Sequence, residues 1–307
     1  MSGRDVLAAP SGDVSAKTAE PAARSRRVRS GGERRPIVLV LGSDLTRPAG
    51  TRVRPRDGAR RGPAATGAAR TVAGRPAAPD EGRHFPPTPN MLAAGRSRAA
   101  YEGDPGDFLD LFPTGPGRWG LVLGDVCGHD AKAAGLAAWA RTTVRQAAGP
   151  GQGPRGVLGL LNTGLLRQAP DDERFLTAVY LDLRPARDGC RAVLCSAGHL
   201  PALIRRRDGT LHEAGTGGIV LGVTADPRLT ETSLFLEPGD TVLLYTDGVT
   251  EACRGGERYG EQRLRQLLSR VGHRQPDVLA RTIERTALEF GDRDHRDDIT
   301  VAVLRIT

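Results

Sequence analysis

Aromatic residues are scarce in this chain, 4% of 307 positions, and methionine and tryptophan occur only twice each. No run approaches the roughly 18 consecutive apolar residues of a membrane span; the longest candidate, residues 37–41, is far too short. The N-terminus also lacks the apolar core of a secretory signal, which argues against export. Cysteine is limited to Cys127, Cys190, Cys195 and Cys253, with no CxxC pair and no zinc-finger spacing. Free thiols in a reducing cytoplasm are therefore expected, and disulfides and structural zinc are not. Lysine is nearly missing: Lys17 and Lys132 are the only two among 44 basic residues, a bias to which no chemistry is assigned.

What is abundant divides the chain in two. Hydrophobic residues make up 38%, with 40 Gly and 22 Pro, a composition low in core-forming residues for a wholly globular protein. Residues 1–84 carry a net charge of +9 and residues 85–307 a net charge of −1. The first segment is rich in Ala, Gly, Pro, Ser and Arg without helical or strand periodicity, so it buries too little apolar surface to offset the entropy of ordering. It is read as a mostly disordered basic tail, with residues 35–42 (R-P-I-V-L-V-L-G) as one short strand. Such a tail can touch nucleic acid. It has no aromatic residue before Phe85 to stack on bases, however, and a solvated tail is the favoured reading.

From Phe85 onward, apolar segments of strand length alternate with Gly, Pro and Asp turns. Strands are predicted over 108–112, 119–125, 177–183, 191–196, 202–206, 219–223, 232–236, 241–245 and 300–306. Helices are predicted over 131–148, 156–168, 260–271 and 277–290, where apolar residues recur at three and four. Helices arriving in pairs between blocks of strands argue against a doubly wound parallel sheet, which alternates them singly. The expected class is α+β, an antiparallel β core flanked by helices.

Aspartates stand at the ends of these strands. Asp107 opens one, Asp125 and Asp247 close two others, and Asp297 with Asp298 opens the last. Aspartate is depleted in strands, and a carboxylate against a buried apolar run costs desolvation energy unless it is paired or binds a cation. Several converging carboxylates repel one another and raise their pKa values; a divalent cation removes that conflict. Hard cations such as Mg²⁺ and Mn²⁺ prefer such oxygen donors. Gly124 and Gly128 beside Asp125 further allow close backbone approach, so that a carbonyl can join the site.

Five segments carry a resemblance: G-D-F-L-D-L-F from Gly106, G-D-V-C-G-H-D from Gly124, S-A-G-H-L-P-A-L from Ser196, E-P-G-D-T-V-L-L-Y-T-D-G-V-T-E-A from Glu237 and D-D-I-T from Asp297. In order and spacing they resemble the metal-dependent protein phosphatases of the protein phosphatase 2C-like (PPM) superfamily, specifically its bacterial SpoIIE-like branch, over about residues 85–307. The resemblance implies an αββα sandwich of two antiparallel sheets flanked by paired helices. It also implies two divalent cations, Mn²⁺ or Mg²⁺, and hydrolysis of phosphoserine or phosphothreonine by a metal-activated water, with no protein nucleophile. By the same resemblance Asp125 bridges both metals, the Val126 carbonyl and, largely through water, Asp107 serve the first, and Asp247 and Asp297 serve the second. Asp298, His129 and Gly248 are additional candidates, while Gly198 and His199 match a segment that shapes the core. The implied substrate is a phosphorylated regulatory protein such as an anti-sigma antagonist.

The chain departs from the family pattern twice. Pro105-Gly106-Asp107 replaces the usual G-G-D, which is expected to alter the loop placing Asp107. Gly128-His129-Asp130 replaces the usual G-H-G; Asp130 is expected to cap a helix starting at Ala131, with strain if its φ is positive. The rival reading is a phosphatase fold that binds a phosphorylated regulator with weak turnover or none.

Overall fold

Apolar side chains at every second position give a strand two faces, and in this protein both faces are covered. The computed structural model describes residues 82, 85–101, 103–168, 174–215, 217–292 and 297–307, all within one compact unit, Gly74–Thr307. The expected 35–42 strand and nearly all of the 1–84 tail lie outside the described residues.

The first sheet has the order β2-β3-β4-β5-β8: β2 Asp107–Gly115, β3 Arg118–Val126, β4 Leu176–Ala186, β5 Gly189–Ala197 and β8 Glu231–Leu236. The second has the order β1-β12-β9-β6-β7: β1 Met91–Arg98, β12 Ile299–Ile306, β9 Thr241–Tyr245, β6 Ala202–Arg205 and β7 Leu211–Ala214. Every ladder in both is antiparallel. Between β3 and β4 come α1 Ala131–Ala147 and α2 Pro154–Gln168. After β9 come the short α3 Asp247–Thr250, a two-residue ladder of β10 Cys253–Arg254 with β11 Glu257–Arg258, then α4 Gly260–Val271 and α5 Pro276–Phe290.

Three apolar layers result. Leu109, Leu111, Leu121, Leu123, Val179 and Leu181 of the first sheet meet Ile204, Val242, Leu244, Ala302 and Leu304 of the second. The alternate residues of the first sheet, Phe108, Phe112, Val122 and Tyr180, pack under α1 and α2, and the buried stripe of α1, Ala133, Ala137, Ala140 and Val144, is small enough for close approach. Leu243, Tyr245, Val301 and Val303 pack under Leu264 and Leu268 of α4 and Leu279 and Ile283 of α5. This is the expected αββα sandwich with paired helices on each outer face. Trp139 contributes to α1–α2 packing: a side chain on Gly164 would stand 3.0 Å from its ring. Among the described residues no helix is long and apolar enough to cross a membrane.

One expected strand does not form, and one strand that forms was not expected. Residues 219–223 form no strand; Leu221 makes an isolated bridge to Leu176. Gly217, Gly218 and Gly222 hold φ of 101°, 91° and 96°, which breaks extended pairing there. Conversely, β1 (M-L-A-A-G-R-S-R) was not anticipated, because Ala, Gly, Ser and Arg are weak strand formers. Its register against β12, Met91 opposite Ile306 through Arg98 opposite Ile299, supplies the order that local propensity does not. Gly95 lets Phe85 and Leu109 lie against its backbone.

β1 is also held from outside the ladder. Arg96 and Arg98 both donate to the buried carboxylate of Glu284 on α5, at 2.5 and 3.1 Å. Withdrawing one partner from a buried ion pair costs about 3–5 kcal/mol. Glu284→Ala is therefore expected to lower unfolding free energy by that order in urea titrations, and a loss under about 1 kcal/mol would show the pair to be incidental.

Candidate metal centre

The inner-facing row of β2 runs Leu111, Leu109, Asp107, and that of β3 runs Leu121, Leu123, Asp125, so pleat alternation brings both carboxylates to one end of the space between the sheets. They are direct cross-strand partners, Asp107 opposite Asp125. Like charges so placed destabilise a ladder, and the sheet tolerates this only where something offsets it. From the second sheet, β9 ends at Tyr245 and passes through Thr246 into Asp247, the first residue of α3, while Asp297 and Asp298 immediately precede β12. Chain segments far apart in sequence thus deliver Asp107, Asp125, Asp247, Asp297 and Asp298 to one end of the sandwich.

The electrostatics report their proximity. Burial, then the charges of Asp247, Asp297 and Asp298, push the Asp125 carboxyl up to about 8. Burial, then Asp297 and Glu251, raise Asp247 to about 6. Asp107, 3% exposed, is raised well above the usual range by burial and by Asp125, with the hydroxyls of Thr300 and Thr246 opposing in part. Loss of solvent also raises Asp297, against a hydrogen bond from the Asp298 amide, and His129 works to lower it.

Asp107 Oδ2 accepts from the Thr246 hydroxyl at 2.9 Å; its buried Oδ1 has no hydrogen-bond partner. Asp298 is differently occupied: Oδ1 accepts from the Ala100 amide at 2.8 Å and Oδ2 from the Gly106 amide at 2.6 Å. It clasps the loop between β1 and β2 and so sets the entry to Asp107. Asp297 Oδ1 accepts from the Asp298 amide at 2.8 Å. Val126 is buried and donates its amide to the Gly106 carbonyl at 3.2 Å. The Val126 carbonyl lies close enough that a side chain on Gly106 would approach it to 3.2 Å. Gly248 is pressed onto the Asp298 carbonyl, leaving no room for a β-carbon.

His129 is exposed and its ring rests against Tyr101, centroids 5.3 Å apart. His199 is buried, within 2.7 Å of the Thr177 hydroxyl, and burial pushes its pKa down to about 4, so it stays neutral in the core. Gly128 takes φ 104°, whereas Gly124 is needed for a different reason from the expected backbone approach: the Phe108 ring fills the space a side chain would need. The feared strain at Asp130 is absent, with φ −99° and a carboxylate that caps α1 through the Ala133 amide at 2.9 Å. Arg174, which sequence reasoning did not single out, grips the same carboxylate through two hydrogen bonds of 2.9 and 2.8 Å and anchors the loop after Asp125. Thr246 was missed as well; its signal was a hydroxyl residue closing the apolar run V-L-L-Y.

Among the described residues no three His, Cys, Asp or Glu side chains close around a single ion at ligating distance. A small hard cation keeps several waters and needs only one or two direct carboxylates. A buried orphan oxygen on Asp107 and carboxylates raised by mutual repulsion fit such partly hydrated ions.

The sign of the resulting pH dependence is fixed. A carboxyl with a raised folded pKa holds its proton more tightly when folded, so its contribution to stability is complete below the ordinary value of 3.8 and is lost as pH rises through about 8. In chelator-treated protein, Asp125→Asn is expected to gain thermal stability relative to wild type steadily from about pH 4 to 8. A gap that stays constant with pH would contradict the clustering.

Comparison with known proteins gives a consistent picture. The model of the family described as Stage II sporulation protein E (SpoIIE) matches residues 115–307. Phosphoserine phosphatase RsbU of Bacillus subtilis (strain 168) is 28% identical over 187 residues, 60% of this chain and 55% of that protein. Phosphoserine phosphatase RsbP of the same organism is 29% identical over 149 residues, 48% and 36% respectively. The chain thus spans about half the length, or less, of the curated relatives it matches. Among solved structures, the RsbU and RsbW domains of Rv1364c from Mycobacterium tuberculosis superpose with a TM-score of 0.62 at 25% identity, over 72% of this chain and 61% of that one. The SiaA-PP2C domain of Pseudomonas aeruginosa shares the fold, with a TM-score of 0.62 at 20% identity over 70% and 86%.

Proposed function

The chain belongs to the Stage II sporulation protein E (SpoIIE) family, and from that membership we propose that it is a metal-dependent protein serine/threonine phosphatase. Its domain is residues 85–307, preceded by a basic tail. The observation that carries the reading is the convergence of Asp107, Asp125, Asp247 and Asp297 on one end of the sandwich, where Asp107 and Asp125 face each other across a ladder at a cost to the apo fold. In this reading Asp125 serves two sites at once, the Val126 carbonyl and Asp107 complete the first, and Asp247 and Asp297 hold the second. Mn²⁺ or Mg²⁺ bound there would supply a water acidic enough to ionise near neutral pH and positive charge against the phosphoryl oxygens. Asp298 accepts a backbone amide on each of its oxygens, and in this reading it serves placement. The Cys127 thiol is raised by burial and by Asp125, which argues against a protein nucleophile.

The substrate class is a phosphoserine- or phosphothreonine-bearing regulatory protein, such as an anti-sigma antagonist. Support comes from the two relatives named phosphoserine phosphatases. Of the two departures from the family pattern, Asp130 is accommodated by its cap and its Arg174 partner, and the Gly106 beside Pro105 keeps the contacts that place Asp107. This favours turnover over binding alone. Full-length protein is expected to hydrolyse an aryl phosphate and a phosphoserine protein with Mn²⁺ or Mg²⁺, and to stop on adding chelator. Cation binding and phosphoprotein binding without any hydrolysis would establish the binding-module alternative.

A further inference from the structure

Among the buried groups of the polar centre that the proposed ligand set does not use is the hydroxyl of Thr246. Thr246 is fully buried, and its hydroxyl makes polar contacts with both sheets. Its Oγ stands 2.9 Å from Asp107 Oδ2 on the first sheet and accepts the Thr300 amide of β12 at 2.9 Å on the second. The Asp298 carbonyl lies 3.3 Å away, a longer alternative for the same proton. A hydroxyl has one proton, and with the Thr300 amide fixing one lone pair the shorter contact directs that proton to the carboxylate. Behind Thr300, the hydroxyls of Thr300 and Ser97 pair at 2.9 Å, so the chain of polar groups is anchored in β1.

The consequence for Asp107 is orientational. With Oδ2 held by the Thr246 hydroxyl, and the Thr300 hydroxyl also acting on the carboxylate, the buried Oδ1, which has no hydrogen-bond partner within bonding distance, is the oxygen left to face a ligand. We infer that Thr246 is a positioning residue for the cation site: its hydroxyl holds the Asp107 carboxylate in the orientation that presents Oδ1. The inference rests on the metal-site reading above and adds to it a residue that touches no cation itself. Groups that orient a ligand from behind typically change metal affinity about 10- to 100-fold when removed.

The test is calorimetric titration of full-length protein with Mn²⁺ and with Mg²⁺, alongside thermal unfolding of the cation-free forms. Thr246→Val keeps the shape and deletes the hydroxyl; it is expected to weaken cation binding by about 10-fold or more. Thr246→Ser restores the donor and is expected to bind within about threefold of wild type. In the Asp107→Asn background, Thr246→Val is expected to add no further loss of cation affinity, since the residue reaches the cation only through that carboxylate, while the effect of leaving the Thr300 amide unpaired is read separately in the unfolding midpoint. Should Thr246→Val not fold, Thr246→Cys, of similar volume but a weak donor, takes its place with the same expectation. Wild-type affinity in the variant lacking the hydroxyl overturns the role of Thr246 while leaving the metal site standing. A wild-type protein that takes up no divalent cation overturns both together.

Discussion

Asparagine at position 125 is expected to leave a folded protein that hydrolyses phosphate esters at least about 10³-fold more slowly than wild type, the rate equivalent of several kcal/mol of charge stabilisation. The substitution preserves shape and hydrogen-bonding capacity and removes the negative charge. The protein is expected to remain folded because the charge is unfavourable in the cation-free state: burial and three neighbouring carboxylates all raise the pKa of Asp125, and relieving that repulsion stabilises by about 1 kcal/mol. Asp247→Asn separates the alternatives further. Asp247 is the first residue of α3, after its N-cap Thr246, and asparagine matches it in shape, so a turn residue would tolerate the exchange. A ligand would not, and near-complete loss of activity with weakened cation binding is the expected result. Wild-type affinity and turnover in Asp247→Asn would remove the two-metal assignment whatever the family membership implies.

Gly248→Ala is expected to be nearly as damaging, by another route. The added methyl would fall on the carbonyl of Asp298 and against Ile299 Cγ1, and backbone atoms cannot move aside cheaply. The segment carrying Asp247 and the one carrying Asp297 and Asp298 must then separate. Overpacking of this kind costs about 1–3 kcal/mol, and displacement of reacting groups by about 1 Å costs about 10²-fold in rate. Thermal unfolding and steady-state hydrolysis together check this. A variant with wild-type midpoint and rate would show that the two segments do not need their close approach.

Much of this architecture was legible in the sequence because strands buried on both faces read as short apolar runs and amphipathic helices repeat at three and four. The strands from β2 to β5, β9 and β12 and all four long helices fall where pattern places them. β1 was not legible, since Ala, Gly, Ser and Arg acquire strand geometry only from β12 and from the carboxylate of Glu284, 188 residues from Arg96. The carboxylates of the candidate centre were legible because aspartate at the end of an apolar run needs a reason. Their differing roles were not: Asp297 and Asp298 are adjacent and chemically identical, and only the two amides of Ala100 and Gly106 separate them. Arg174 and Thr246 act through contacts spanning 44 and 139 residues, which no local pattern encodes.

The adjacency of Asp297 and Asp298 makes the centre a matter of parity. In a pleated strand, consecutive positions face opposite ways, so a shift of β12 by one residue would exchange the clasp for the candidate ligand and turn both away from their tasks. β12 is held to its frame from two sides, by β9, with Val301 opposite Tyr245, and by β1, with Val303 opposite Ala94. β1, at one edge of the second sheet, therefore does for the chemistry what a reading frame does for a message. A fragment beginning at Asp107 would still contain each of the five carboxylates, yet it would lack one of the two strands that tell them apart.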